Sequence, residues 1–332
     1  MQRLEEFNMS NNEAIIASKA KRGRKAANLR QYALIFIMIG LFVVFTCLTN
    51  AFFTPDNLLN MFRQVSMICI VGVGMTMIII LGDIDLSPGS VMAFVGVMGA
   101  TVYKMTQSPF LTLVFSLAIG AGVGFVNGFI TAKGRIPAFI TTLATMQIFR
   151  GISFIYTGGN PVSVFDEGFT QFGTGYVGAI PLPVVLMAAV VVVGIFITQY
   201  TRFGRHIYAV GGNSKASQWS GISVDRIKIG VFTLSGLFTG LAGLVMAARL
   251  GSGQPSAADG FEMDVIAAVI LGGASLAGGR GTIFGTVIGV IIIGVLANGL
   301  TLLDVSSYWQ QVVKGLIIVV AVLIDTKSRK KA

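Results

Sequence analysis

Apolar residues fall into long runs along nearly the whole chain, separated by short polar breaks. At about twenty apolar residues per membrane crossing, ten runs predict transmembrane helices, near 32–49, 65–81, 88–105, 110–132, 136–157, 183–200, 228–250, 263–278, 282–302 and 309–324. The third and eighth are short or glycine-broken, so eight or nine full crossings also fit. The expected fold is an all-α polytopic membrane protein with broken or short helices near 82–88 and 272–281. One polar stretch, 201–226, is long enough to hold its own shape. There Asn213 is a good N-cap, 214–220 give about two turns, and Gly221 suits the position that ends a helix.

Composition sharpens this picture. Of 332 residues 54% are hydrophobic and only 11% charged, and the mean hydropathy is +0.80; a soluble domain of this length needs more charge to cover its surface. The formal charge of +10 lies mostly in the termini and short loops, which fits the cytoplasmic bias of membrane proteins and argues against a nucleic-acid partner. Cys47 and Cys69 both fall in apolar runs, so no disulfide framework or metal cluster is indicated. The basic segment 1–31 is too long and mixed for a secretory signal, so the first helix is expected to stay as an anchor.

An even number of crossings puts both termini on one side, with KAKRGRK near the start and the 325–332 tail in the cytoplasm. The same parity places Lys133, Arg135, loop 201–226 and Arg280 inside, and loop 158–182, with Asp166 and Glu167, outside. Lys104 and Arg249 fall near the outer face. The domain plan is a basic N-terminal segment (1–31), one transmembrane domain (32–324) containing the loop 201–226, and the tail. Glycines spaced by four (Gly120, Gly124, Gly128; Gly281, Gly285, Gly289) are the pattern that lets helix backbones approach closely. LGDIDLSPG at 81–89 and LGGASLAGG at 271–279 echo each other, which raises an internal repeat as one reading and chance in a glycine-rich chain as the other.

The segment LGDIDLSPGS puts Asp83 and Asp85 between apolar runs. Gly82 reads as a helix stop, and Ser87 with Pro88 as a helix start with the hydroxyl as cap. Carboxylates at membrane depth cost about 2.5–3.5 kcal/mol each, so these two either line a path or gate, or simply cap and flank the helix ends. Arg280 is a candidate ion-pair partner for Asp85. Asn127, Gln147, Arg150, Asn298 and Lys314 also lie in apolar runs, as candidates for the path or as interhelical and snorkelling groups. His206, the sole histidine, is in the polar loop. Enzyme motifs are missing, and GGASLAGGRG at 272–281 resembles a phosphate loop with Gly279 where the lysine should stand. Neither a nucleotide site nor a cofactor is expected.

Read together, GDIDLSPGS (82–90), GRIPAFITTLATM (134–146), TRFGRHIYAVGGN (201–213), SGISVDRIKI (220–229), GFEMDVIAAVILGGASLAGGRGT (260–282) and SSYWQQVVKG (306–315) resemble the ribose-type permeases of bacterial ATP-binding-cassette monosaccharide importers. The resemblance covers nearly everything after residue 30. It implies a homodimeric permease core in the inner membrane, separate ATPase subunits on the cytoplasmic face and an extracytoplasmic sugar-binding protein outside. It also implies that 201–226 is the coupling segment, with Arg205, Gly212, Asn213, Ala216, Trp219 and Gly221 contacting the ATPase. Path or gate candidates are Asp83, Asp85, Ser87, Asn127, Gln147 and Asn298. The family commonly has Gly-Ile-Asp-Leu-Ser-Val-Gly-Ser, so Asp83 and Pro88 are departures and the sugar stays open. The competing reading is an ion-coupled secondary transporter using Asp83, Asp85 and Arg150.

Overall fold

The computed structural model describes residues 32–330, with side chains only in part beyond Val320. The basic segment 1–31 and the end of the tail lie outside these residues. The helices are α1 (Tyr32–Leu48), α2 (Pro55–Ile80), α3 (Pro88–Thr106), α4 (Pro109–Lys133), α5 (Ala138–Thr157), α6 (Glu167–Thr174) and α7 (Leu182–Tyr200). They continue with α8 (Arg202–Gly212), α9 (Ser214–Trp219), α10 (Val224–Leu250), α11 (Phe261–Leu271), α12 (Ile283–Leu302) and α13 (Ser307–Lys330). Four two-residue strands complete the structure: β1 (Val162–Ser163) pairs antiparallel with β4 (Ser252–Gly253), and β2 (Tyr176–Val177) with β3 (Ile180–Pro181).

Six helices among the described residues (α2, α4, α5, α7, α10 and α12) are long and apolar enough to cross a membrane. The expected ten are not confirmed. Helix α1 falls short of the length needed, α11 has 11 residues, and α3 is diluted by Ser90, Thr101, Tyr103 and Lys104. Several side chains of α13 lie outside the described set. Helix α2 forms the centre, with an unbroken buried run from Val65 to Ile80. Apolar side chains such as Phe129, Phe139 and Phe196 on α4, α5 and α7 point outward instead, the pattern of helices that face lipid.

The polar segments collect at two opposite ends. At one, the turn after α2 meets the start of α10 through Asp83 and Lys228, and it meets the turn after α11 through Gly279 and Ile80. Lys133, at the end of α4, pairs there with Asp225. At the other end Asn57 of α2 meets Asn298 of α12, and Tyr103 of α3 meets Asp166. Helices α2 and α4 therefore run in the same direction, with α3 returning between them.

The glycine stripe on α4 does what its spacing predicts. A Cβ on Gly120 would fall 2.3 Å from the Gly236 carbonyl of α10, and one on Gly124 2.2 Å from the Phe232 carbonyl. Glycine is required there because the two backbones touch. On the second stripe Gly285 and Gly289 pack against the Gly272 and Ala268 carbonyls of α11, whereas Gly281 precedes the helix.

Candidate functional site

The site is built where helices stop. Helix α2 ends in a Schellman motif: the Gly82 N–H donates to the Ile79 carbonyl at 2.9 Å and the Asp83 N–H to that of Ile78 at 3.1 Å, with Gly82 at φ +83°. Helix α11 ends the same way one residue later in the echo. Gly273, at φ +102°, donates to Ile270, and Ala274 to Val269. The two ends abut, since the Gly279 N–H donates to the Ile80 carbonyl at 2.8 Å.

Between α2 and α3 the chain sinks its polar groups inward. Asp85 is buried and its Oδ1 accepts from both the Ser87 N–H (2.8 Å) and the Ser87 hydroxyl (2.6 Å). Ser87 in turn accepts from Asn127 Nδ2 at 3.1 Å, and Asn127 Oδ1 accepts from the Thr145 hydroxyl at 2.6 Å. All four residues are buried. They come from the break, the N-cap of α3, the C-terminal half of α4 and the N-terminal half of α5. Such a fully paired network fixes one arrangement of these segments. Thr142 holds the break from the side, accepting from the Leu86 N–H at 3.0 Å and donating to Ala138 at 2.9 Å.

Two sequence expectations are corrected at this point. Ser87 occupies the N-cap position and Pro88 the first helical one, but Ser87 makes no side-chain cap bond because its hydroxyl is spent on Asp85. The proposed Asp85–Arg280 pair does not form: Arg280 is exposed, and none of the ion pairs among the described residues joins the two. Asp83 is the carboxylate that finds a cation, with Lys228 Nζ at 2.7 Å.

The other path candidates separate. Gln147 is exposed on α5. Asn298 forms a reciprocal amide pair with Asn57 (2.8 and 2.9 Å) at the far end. Arg150 donates to the Pro255 and Ala257 carbonyls, both at 2.7 Å, and so ties α5 to the loop after α10. Lys314 pairs with Asp264 of α11 at 2.8 Å. The network thus gathers Asp85, Ser87 and Asn127 and leaves the rest elsewhere. Thr142 and Thr145 were missed, because threonines within an apolar helix carry no distinguishing sequence signal.

The polar loop folds as anticipated around α9 and further than anticipated before it. Asn213 Oδ1 accepts from the Ala216 N–H at 3.0 Å. Gly221, at φ +84°, donates to Gln218, and Ile222 to Ser217, a third Schellman motif. Trp219 is 85% exposed, too open to be serving as core. The unanticipated part is α8, an amphipathic helix that buries Gly204, Ile207 and Val210 and exposes Arg202 and Arg205. Its end reaches the break: a Cβ on Gly211 would lie 1.7 Å from the Ile80 carbonyl and 2.8 Å from the Gly279 nitrogen, while one on Gly212 would meet nothing. Tyr208 adds a bond to the Gly281 carbonyl at 2.8 Å. Three sequence features, the acidic break, its glycine-rich echo and the polar loop, are therefore in direct contact.

At the opposite end Asp166 caps α6, accepting from the Gly168 N–H at 2.8 Å and from the Tyr103 hydroxyl. These two donors hold its carboxyl below the usual carboxylate range, the Tyr103 bond contributing most.

The chain resembles known transport permeases over most of its length. Residues 57–322 match a family model described as branched-chain amino acid transport system / permease component. The ribose import permease protein RbsC of Escherichia coli (strain K12) is 45% identical over 312 residues, covering 92% of this chain and 96% of that protein. RbsC of Bacillus subtilis (strain 168) is 45% identical over 295 residues, covering 87% and 92%. The xylose transport system permease protein XylH of Haemophilus influenzae is 34% identical over 370 residues, covering 92% and 99%. No solved structure matches. The sequence resemblance to ribose-type permeases is borne out, and the chain belongs to the branched-chain amino acid transport system / permease component family.

Proposed function

We propose that this chain is the membrane-spanning permease subunit of an ATP-driven importer for ribose or a related monosaccharide. It forms the translocation path as a homodimer in the bacterial inner membrane and hydrolyses nothing itself. Separate ATPase subunits dock on α8 and α9, and an extracytoplasmic binding protein delivers the sugar at the opposite end. In this reading the end that holds the breaks and the polar loop faces the cytoplasm, together with both termini. The observation that carries it is the contact of Gly211 with Ile80 and Gly279. A push on the loop reaches both helix breaks directly, without passing through side chains that could repack.

The ion-coupled alternative loses ground because its three residues are engaged otherwise, Asp83 with Lys228, Asp85 with Ser87, and Arg150 with backbone carbonyls. A helix as short as α9 is not stable alone. Its caps and the exposed Trp219 suit it to a groove on a partner, where a buried aromatic is a typical hot spot. The test uses Trp219→Ala and Ala216→Arg in the complete transporter. Both variants should insert normally, lose ATPase co-purification and abolish uptake. Wild-type ATPase recovery and uptake in both would remove this loop as the docking element.

A further inference from the structure

A cleft of about 290 Å³, lined about equally by polar and apolar groups, opens beside the acidic break, between the α4–α5 turn and the start of α10. Its lining includes Asp83, Thr131, Arg135, Pro137, Asp225 and Lys228. The volume is at the lower end of the roughly 300–1,000 Å³ typical of small-molecule sites. Two carboxylates and two cationic groups balance, so the lining favours neither an anion nor a cation. It offers many acceptors and donors to an uncharged molecule rich in hydroxyls. Thr131 also lines the cleft. Thr131 is 6% exposed and its Oγ1 is buried with no hydrogen-bond partner. A buried hydroxyl left unpaired is costly, and most threonines in these helices avoid that by donating to a carbonyl one turn back, as Thr76 and Thr198 do.

We infer that this cleft is a binding site for a small uncharged polyhydroxylated solute, of the class that the proposed transport delivers, at the end where it leaves the permease. The inference rests on the proposed function for the sidedness of the cleft and the choice of ligand. A bound solute would lie between the Asp83–Lys228 pair, which ties the break to α10, and the Lys133–Asp225 pair, which ties α4 to α10. It would span the three segments that the proposed coupling has to move apart.

The test is equilibrium binding of radiolabelled D-ribose and D-xylose to the full-length permease in nanodiscs, with ribose 5-phosphate as competitor. Saturable binding of at least one sugar is expected, at least fivefold weaker in Thr131→Val and Asp83→Asn and near wild type in Thr131→Ser. Thr131→Val should also raise the thermal midpoint of the sugar-free protein, since it removes an unpaired hydroxyl. A purely structural Thr131 would give the second change without the first. No saturable binding by either sugar, binding unaffected by both weakening variants, or stronger competition by the phosphate than by the free sugar would each overturn the assignment. Sugar uptake by the complete wild-type transporter is measured in parallel. Uptake without binding rejects the cleft alone, whereas absent uptake rejects the proposed function.

Discussion

Replacing Asp85 by asparagine separates what its carboxylate does from what its shape does. Oδ1 accepts two bonds from Ser87, at 2.8 and 2.6 Å. Hydrogen bonds to a charged group are worth about 1.5–3 kcal/mol each, and neutral ones about 0.5–1.5. Asparagine keeps both acceptor contacts, so the bonds weaken by roughly 2–3 kcal/mol in total. Against that, a buried charge carries a desolvation penalty of several kcal/mol, which asparagine does not. Thermal stability of Asp85→Asn should therefore stay within about 1 kcal/mol of wild type or rise. Asp85→Ala removes both contacts, leaves the Ser87 N–H unpaired and should cost about 1–3 kcal/mol. If the charge organises the path, Asp85→Asn nonetheless loses most sugar uptake in proteoliposomes while the protein folds and inserts. Wild-type uptake by Asp85→Asn would reduce Asp85 to a turn cap and refute the functional role of the network.

Gly211→Ala should abolish uptake while ATPase co-purification persists, because its Cβ collides with the Ile80 carbonyl; Gly212→Ala, in open space, should transport normally. In the far-end amide pair, Asn57→Leu or Asn298→Leu alone should destabilise by about 1–3 kcal/mol by stranding the partner. The double variant should recover part of that loss in thermal unfolding. Asp166 has a lowered pKa, so its contribution is complete above the ordinary carboxylate range and is lost as pH falls through the lower folded value. Hydrogen exchange in 158–182 should rise in acid at lower pH in wild type than in Tyr103→Phe.

Local signals in the chain were enough for several of these features. Asn213 and Gly221 bracket α9 because a cap side chain and a left-handed glycine act within a few residues. The glycine spacing on α4 foretold a backbone contact, and two carboxylates in an apolar stretch foretold a buried polar site. Pairings across long sequence separations were not legible. Asn57 finds Asn298, 241 residues away, and Thr145 completes a network begun at Asp85. Nothing in either local pattern names its partner. Helix α8 was readable in principle, since Gly204, Ile207 and Val210 recur at intervals of three; its charges and glycines hid that period. The Asp85–Arg280 expectation failed for a related reason. Echoing sequence positions brought the two breaks together as backbone, with Gly279 on Ile80, and left the Arg280 side chain outside.

The seam between α4 and α10 has a mechanical consequence. Where Gly120 and Gly124 lie against Gly236 and Phe232, main chain rests on main chain, and no rotamer is available to absorb a small slide. The two helices are thus best regarded as one stiff beam. The chain leaving α9 enters α10 after only four residues, 220–223, so a load applied at Trp219 is delivered to the beam almost without slack. Bending then concentrates at the glycine-ended stub of α2, Gly82, where the nearest neighbour would lie 3.7 Å from an added Cβ, since α11 has a comparable backbone seam against α12. Stiffening that point should lock the transporter more effectively than any change along the beam itself.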